Sequence, residues 1–352
     1  MDWLAALNTL HNTSGSQAVP AVLVTVAVVE GSSPRETGAK MVVTQVAQFD
    51  TIGGGHLELR ACEIAREMLA SPSSSPARRI ERFPLGPSLG QCCGGVVHLA
   101  FELVEPAAAG LFRTIAAHCR ERGDNWRLVP LDDEQASILI DARGQLLAGD
   151  TPAPLEFDFA QPCHVLKDDD GKRWLIDPCR AWRQHLVLFG AGHVGAAIVR
   201  AMADLPCHVT WVDERDDMFP AIVPANVKFE ATDTPEAVVD EAPHGASYLV
   251  MTHSHALDQR LSEAILKRND ALWFGLIGSK TKRMQFEHRL IDRGIPRERL
   301  QDMTCPVGIA GITGKAPAVI AASVCAQLLQ VWEEAERDAA ARAARLSALI
   351  QH

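Results

Sequence analysis

Leu186-Val187-Leu188-Phe189-Gly190-Ala191-Gly192-His193-Val194-Gly195, continued to Trp211-Val212-Asp213, is the stretch that decides the fold of the C-terminal half. A short apolar strand runs into a glycine turn, and the turn opens a helix carrying Val194, Ile198 and Ala201 or Met202. In a βαβ unit the glycines permit the tight turn, let backbone N–H groups approach a phosphate, and let helix and strand pack closely. An acidic residue about twenty positions on, at the end of the next strand, is placed to accept hydrogen bonds from a ribose diol. Asp213 holds that position and argues against a 2'-phosphate. The spacing predicts a Rossmann-type fold, which either binds a nucleotide or dinucleotide, with Gly190, Gly192, His193, Gly195 and Asp213 as candidate binding residues, or keeps the fold without the ligand and serves docking.

Downstream, apolar strands at 208–212, 227–229, 248–251 and 272–277 alternate with helices, which implies a doubly wound parallel sheet. Ligands of such sheets gather outside the carboxyl ends of the strands. Three loops there carry chemistry: Thr252-His253-Ser254-His255 with Asp258, Gly278-Ser279-Lys280-Thr281-Lys282-Arg283, and Gly311-Ile312-Thr313-Gly314-Lys315. His253 and His255 read either as hydrogen-bonding loop residues or as ligands; with Asp258 they begin a transition-metal set that lacks further strong ligands. Lys280, Lys282 and Arg283 read either as a solvated helix start or, because cations there oppose the helix dipole, as partners of an anion, with Ser279 and Lys280 as the candidate binding residues.

Residues 1–182 read as a mixed α+β domain. Trp3, Leu4, Leu7 and Leu10 recur at helical spacing, strands are expected at 22–30, 40–46, 79–83 and 96–103, and a helix at 56–69. Gly53-Gly54-Gly55 before His56 bares backbone at a helix N-terminus, a second candidate anion cradle that Arg35 and Lys40 could reach. In Gln91-Cys92-Cys93-Gly94-Gly95, adjacent cysteines on a strand would point to opposite faces unless the glycines bend the chain. A thiolate there suits a soft metal or sulfur carriage; two buried thiols in a tight turn fit the same residues. Domains are expected at 1–182, 183–330 and 331–352, the last a helical tail rich in Ala, Glu and Arg.

Composition bounds the partners. The chain has 352 residues, enough for two domains at about 150 each. With 34 basic and 44 acidic residues the net charge is -10, which argues against nucleic acid held by its phosphates. Nine cysteines with no CxxC pair suit reduced thiols in the cytoplasm. No signal peptide is visible at the N-terminus, and the longest apolar run, 19–29, is too short to span a bilayer, so no membrane partner is expected.

Several motifs together resemble the XdhC/CoxI family of molybdenum-cofactor maturation factors. They are Gly31-Ser32-Ser33-Pro34-Arg35 with Gly38-Ala39-Lys40-Met41, Gly53-Gly54-Gly55-His56-Leu57-Glu58, Leu89-Gly90-Gln91-Cys92-Cys93-Gly94-Gly95, Gly190 to Gly195, Thr252 to Asp258, and Gly275-Leu276-Ile277-Gly278-Ser279-Lys280. They run in order from about Val22 to Leu329. The family's looser pattern has one cysteine before Gly-Gly, which falls on Cys93; Cys92 is then the extra thiol of the xanthine dehydrogenase branch. The resemblance implies a chaperone rather than an enzyme. Such a protein binds the molybdopterin cofactor, holds it while a NifS-type cysteine desulfurase replaces an oxo ligand by a sulfido ligand, and inserts it into the molybdenum subunit of xanthine dehydrogenase. The phosphate end would meet the amide cradles with Arg35 and Lys40, and the soft metal end Cys92 and Cys93, Cys93 being the candidate molybdenum contact. A homodimer is the expected assembly, since it would let an N-terminal site of one protomer face the Rossmann edge of another. A competing reading is an NAD-dependent oxidoreductase with His253 or His255 as its acid/base.

Overall fold

The computed structural model describes residues 2–11, 19–71, 76–86, 94–149 and 156–350. The chain divides into two compact units, Met1–Ala181 and Trp182–His352.

The first unit carries α1 (Trp3–His11), β1 (Ala21–Glu30), β2 (Lys40–Val43), β3 (Gln48–Asp50), α2 (Gly55–Ala70), β4 (Arg78–Pro84), β5 (Val96–Val104) and α3 (Ala109–Arg120). After these come β6 (Asn125–Pro130), β7 (Ile138–Asp141), β8 (Leu146–Ala148), β9 (His164–Lys167) and β10 (Arg173–Cys179). They form two five-stranded antiparallel sheets, ordered β3-β2-β1-β5-β4 and β8-β7-β6-β10-β9. Alternation along β1 divides its side chains between two cores, as a period of about two residues requires. Val22, Val24 and Val26 pack with Leu57, Ala61, Ile64 and Met68 of α2, whereas Leu23 meets α1, α3 and Leu139 of the second sheet. Ala27 and Ala100 lie against Val129 and Leu175, so the sheets pack face to face.

That interior is not purely apolar. Asp177 on β10 is fully buried; its Oδ1 lies 2.7 Å from Lys40 Nζ and its Oδ2 3.1 Å from Arg127 Nη2. Arg127 also pairs closely with Glu102, which accepts from Ser137 Oγ at 3.2 Å. The strand expected at 40–46 stops at Val43 because Thr44 turns the chain: its N–H bonds to Ala47 O at 2.9 Å and its hydroxyl accepts from Ala47 N at 3.0 Å.

The second unit runs β11 (Gln184–Phe189), α4 (His193–Ala201), β12 (Cys207–Asp213), β13 (Val227–Ala231), α5 (Pro235–Glu241), β14 (Ser247–Val250), α6 (His255–Lys267), β15 (Trp273–Leu276), α7 (Lys280–Asp292), β16 (Met303–Thr304) and α8 (Pro317–Ile350). Its six strands lie parallel in the order β13-β12-β11-β14-β15-β16, a Rossmann sheet. Leu186 and Leu188 face a core with α4 and α8; Val187 and Phe189 face the opposite core with α5, α6 and α7. Fully burying each such side chain contributes roughly 1.5–3 kcal/mol. Helix α8 passes through position 331, where the sequence placed a separate tail, and Trp332 is buried in the core with α4. No helix among the described residues is long and apolar enough to cross a membrane.

Candidate functional site

Three glycine motifs distant in sequence meet at one end of the first sheet. A Cβ on Gly95 would fall 2.2 Å from Ser32 O and 2.6 Å from Glu30 O, so the chain entering β5 presses against the turn leaving β1. A Cβ on Gly53, whose φ is +120°, would fall 2.4 Å from Pro34 Cβ, which locks the glycine turn before α2 onto the same loop. Arg35 Nη1 donates to Thr51 O at 3.3 Å across this junction. The remainder of its guanidinium pairs with Glu36 at the surface. At Gly54 and Gly94 a Cβ would meet nothing within 4 Å, and Gly55 and His56 are exposed, leaving a backbone face open beside the junction.

The amides of this turn already hold an anion. Glu58 Oε2 accepts from Thr51 Oγ1 at 2.5 Å, Gly54 N at 3.0 Å and Ile52 N at 3.3 Å, and its Oε1 accepts from Gln48 Nε2 at 2.5 Å. A carboxylate one turn into α2 thus satisfies N–H groups that a helix start otherwise leaves bare. Glu58 stood in the sequence motif without a role; its spacing from Gly54 is the signal that would have assigned one.

Lys40, expected beside Arg35, sits elsewhere. Its ammonium is buried, paired with Asp177, bonded to Gly38 O at 2.9 Å and 4.9 Å from the centre of the Trp3 ring. Burial disfavours the charged form, but the Asp177 carboxylate more than compensates and the Lys40 pKa is raised. Lys40 stabilises the space between the sheets and is not available to a ligand at the glycine turns. Cys92 and Cys93 lie outside the described residues, in the stretch that ends at Gly94. Cys62, Cys163, Cys179, Cys207, Cys305 and Cys325 are buried free thiols. Burial pushes Cys179 up to about 12 and Cys325 up to about 11, so both are core residues at neutral pH.

In the second unit the glycine turn adopts the expected geometry. A Cβ on Gly190 would lie 2.5 Å from Met251 O and one on Gly195 would lie 2.1 Å from Gly190 O, so both positions require glycine. At Gly192, the residue before α4, a Cβ would meet nothing within 4 Å and no side chain caps the helix. His193 follows, exposed. A small crevice with a cavity volume of about 10 Å³ lies where β11, β12 and β14 end, lined among others by Phe189, Asp213, Glu214, Pro235, Thr252 and His253.

Asp213 differs from its expected role. Its Oδ2 accepts from Ala191 N at 2.7 Å and Arg215 Nη2 at 3.0 Å; its Oδ1 accepts from Arg215 N at 3.1 Å and Nε at 2.9 Å. Burial opposes ionisation, yet these bonds prevail and hold its carboxyl below the usual range. The histidines separate: His253 lines the crevice, whereas His255, the first residue of α6, has its ring centre 6.5 Å from that of Phe286. Among the described residues no group of three or more His, Cys, Asp and Glu could hold a metal ion.

The cations at the start of α7 find protein carboxylates. Lys282 Nζ pairs with the buried Asp258 at 2.7 Å, and Arg283 pairs with Glu287 at 2.7 Å. Asp258 also accepts from Thr252 N and Oγ1, tying the loops after β14 and β15 together. Ser279 is the cap of α7, accepting from Lys282 N at 3.2 Å, while Lys280 stays exposed.

These features define a two-unit protein with a glycine-lined end on an antiparallel sheet and a separate Rossmann unit. The family model "XdhC Rossmann domain" matches residues 186–328, and "XdhC and CoxI family" matches residues 15–83. These two stretches of the chain are similar to the XdhC family. It is 25% identical over 322 residues to a Bacillus subtilis protein named as a probable xanthine dehydrogenase component, covering 88% of this chain and 92% of that protein. It is also 29% identical over 154 residues to "Uncharacterized protein YqeB" of Escherichia coli, a match spanning 44% of this chain and 28% of that protein. Its fold resembles the crystal structure of a xanthine dehydrogenase from Bacillus halodurans, with a TM-score of 0.72 at 20% identity over 95% of this chain and 96% of that one.

Proposed function

We propose that this protein is an accessory factor for the maturation of xanthine dehydrogenase that carries the molybdopterin cofactor, holds it during sulfuration by a cysteine desulfurase, and delivers it to the dehydrogenase. The observation that carries the reading is the junction of the turns at 31–35, 53–55 and 94–95. Donor-rich backbone without side chains suits a phosphate-bearing ligand, and the cysteine pair immediately precedes that junction in the chain. The open faces at Gly54 and Gly94 leave room for such a group. The cofactor would supply the soft metal centre; Arg35 and the amides near Gly54 would hold its anionic end in place of Glu58, and Cys92 and Cys93, the thiols closest in sequence to the junction, are the candidates for its metal end. In the second unit the uncapped Gly192 turn, where a Cβ would meet nothing within 4 Å, supports a nucleotide phosphate at the start of α4. The match of residues 15–83 to the XdhC and CoxI family model supports an accessory role over an oxidoreductase, whose candidate acid/base residues are reduced to His253 at the crevice. Protein purified anaerobically from a host that makes the cofactor is expected to contain pterin and molybdenum together.

A further inference from the structure

We propose that the outer edge of β13 is a docking surface for a second copy of this chain, which adds its own β13 antiparallel about a two-fold axis at Phe229. The inference is independent of the cofactor reading and gives the expected homodimer a defined contact.

β13 is the last strand of the Rossmann sheet and pairs with β12 alone among the described residues. Asn226 O accepts from Val209 N at 2.9 Å, and Thr232 N donates to Asp213 O at 3.1 Å. Backbone groups alternate in direction along a strand, so residues 226, 228, 230 and 232 turn theirs to β12 and residues 227, 229 and 231 turn theirs away. The Val227 amide is taken by Pro224 O at 3.0 Å. Both backbone groups of Phe229 and Ala231, with the Val227 carbonyl, thus form an open template of the kind by which sheet edges pair with other chains.

The edge sequence, Val227-Lys228-Phe229-Glu230-Ala231, is self-complementary. With the two-fold at Phe229, the two Phe229 residues exchange N–H···O bonds and each Ala231 N–H meets Val227 O of the second copy. Lys228 then stands opposite Glu230 of the second copy, twice, in non-hydrogen-bonded pairs whose Cβ atoms approach to about 4.5–5.5 Å. Both side chains are accessible: that of Lys228 is 79% exposed and that of Glu230 36%, and within one chain their charged atoms are 3.8 Å apart. A two-fold at Lys228 or at Glu230 would oppose like charges and would meet backbone groups already turned to β12. Charge and hydrogen-bond phase therefore select the same register. A charge on an edge strand normally blocks edge pairing. Here opposite signs two residues apart lift the block for a second copy alone. On the other face Phe229 is 46% exposed, although its ring centre is 4.9 Å from that of Phe219, and the two-fold covers it with its own equivalent.

Sedimentation velocity of the full chain over a concentration series at one ionic strength is expected to show a reversible monomer–dimer equilibrium. Glu230→Lys opposes lysine to lysine and Lys228→Glu opposes glutamate to glutamate; each is expected to weaken self-association at least about 10-fold. Mixing the two variants one to one should restore the dimer, because each offers the charge the other lacks. Both substitutions in one chain should dimerise as the unsubstituted protein does, and either recovery shows that the substituted chains are folded. A chain that stays monomeric, single variants that dimerise as tightly as the unsubstituted protein, or a failure of both recoveries overturns the proposal.

Discussion

Two glycine turns in this chain each open a helix, and they differ in what their backbone donors meet. The turn at Gly53 to Gly55 is filled from within: Glu58 of the helix it opens accepts from Thr51, Ile52 and Gly54. The turn at Gly190 to Gly195 is left open at Gly192, and its carboxylate, Asp213, braces it from below through the Ala191 amide. The same local chemistry thus gives an occupied cradle in one unit and an accessible one in the other. Glycine count alone does not distinguish them; the nearest carboxylate does.

The sharpest way to break this comparison is to add one methyl group at each of two glycines in the second turn. Gly195→Ala places a Cβ 2.1 Å from a carbonyl oxygen that cannot move without the strand, and is expected to destabilise the protein by about 4 kcal/mol or to prevent folding of the Rossmann unit. Gly192→Ala meets only open space at a φ of -71° and should leave stability within about 0.5 kcal/mol, while crowding any nucleotide phosphate. Denaturant titration of both variants, followed by nucleotide binding for the folded one, checks this; equal stability losses at the two positions would mean the turn is not held as described.

A second test asks whether Lys40 belongs to the first turn or to the interior. Lys40→Met leaves Asp177 with Arg127 as its remaining cation and should cost about 3 kcal/mol. Because the Lys40 pKa is raised on folding, its contribution is fully present below the unfolded-state value of about 10.4 and is lost as pH rises through the folded value. The melting temperatures of wild type and variant should therefore stay apart up to about pH 10 and converge above it. A variant that is equally stable but weaker for phosphate would place Lys40 at the cradle after all.

The smallest effect concerns Glu58. Its replacement by Ala should cost about 1 kcal/mol, as loss of a helix cap does, and should raise the affinity of the first unit's turn for inorganic phosphate. If phosphate binding is unchanged or falls, the carboxylate is not a stand-in for an external anion.

Much of the fold was legible in local patterns. The alternation of Leu186, Val187, Leu188 and Phe189, the glycines that follow and Asp213 dictate the Rossmann unit because each acts within one βαβ step. In the first unit the helix expected at 56–69 is α2 within a residue at each end, since its apolar face recurs at helical spacing. What local pattern could not reveal were partners brought together by tertiary structure. Lys40 meets Asp177 only because two antiparallel sheets pack face to face, and Lys282 meets Asp258 only because β14 and β15 are neighbours. Each of these cations looked ready for an external anion until the fold supplied a carboxylate. Arg215 stood two positions beyond Asp213, but strand alternation gives no hint that it folds back on that side chain.

The central claim, that the protein carries the molybdenum cofactor, is tested most directly by measuring pterin and molybdenum in protein purified without oxygen from a cofactor-producing host. Pterin fluorescence after oxidation and metal analysis should report both in equal proportion, and Cys93→Ala should lower the molybdenum retained. A protein that holds neither, even when offered the cofactor anaerobically, contradicts the account.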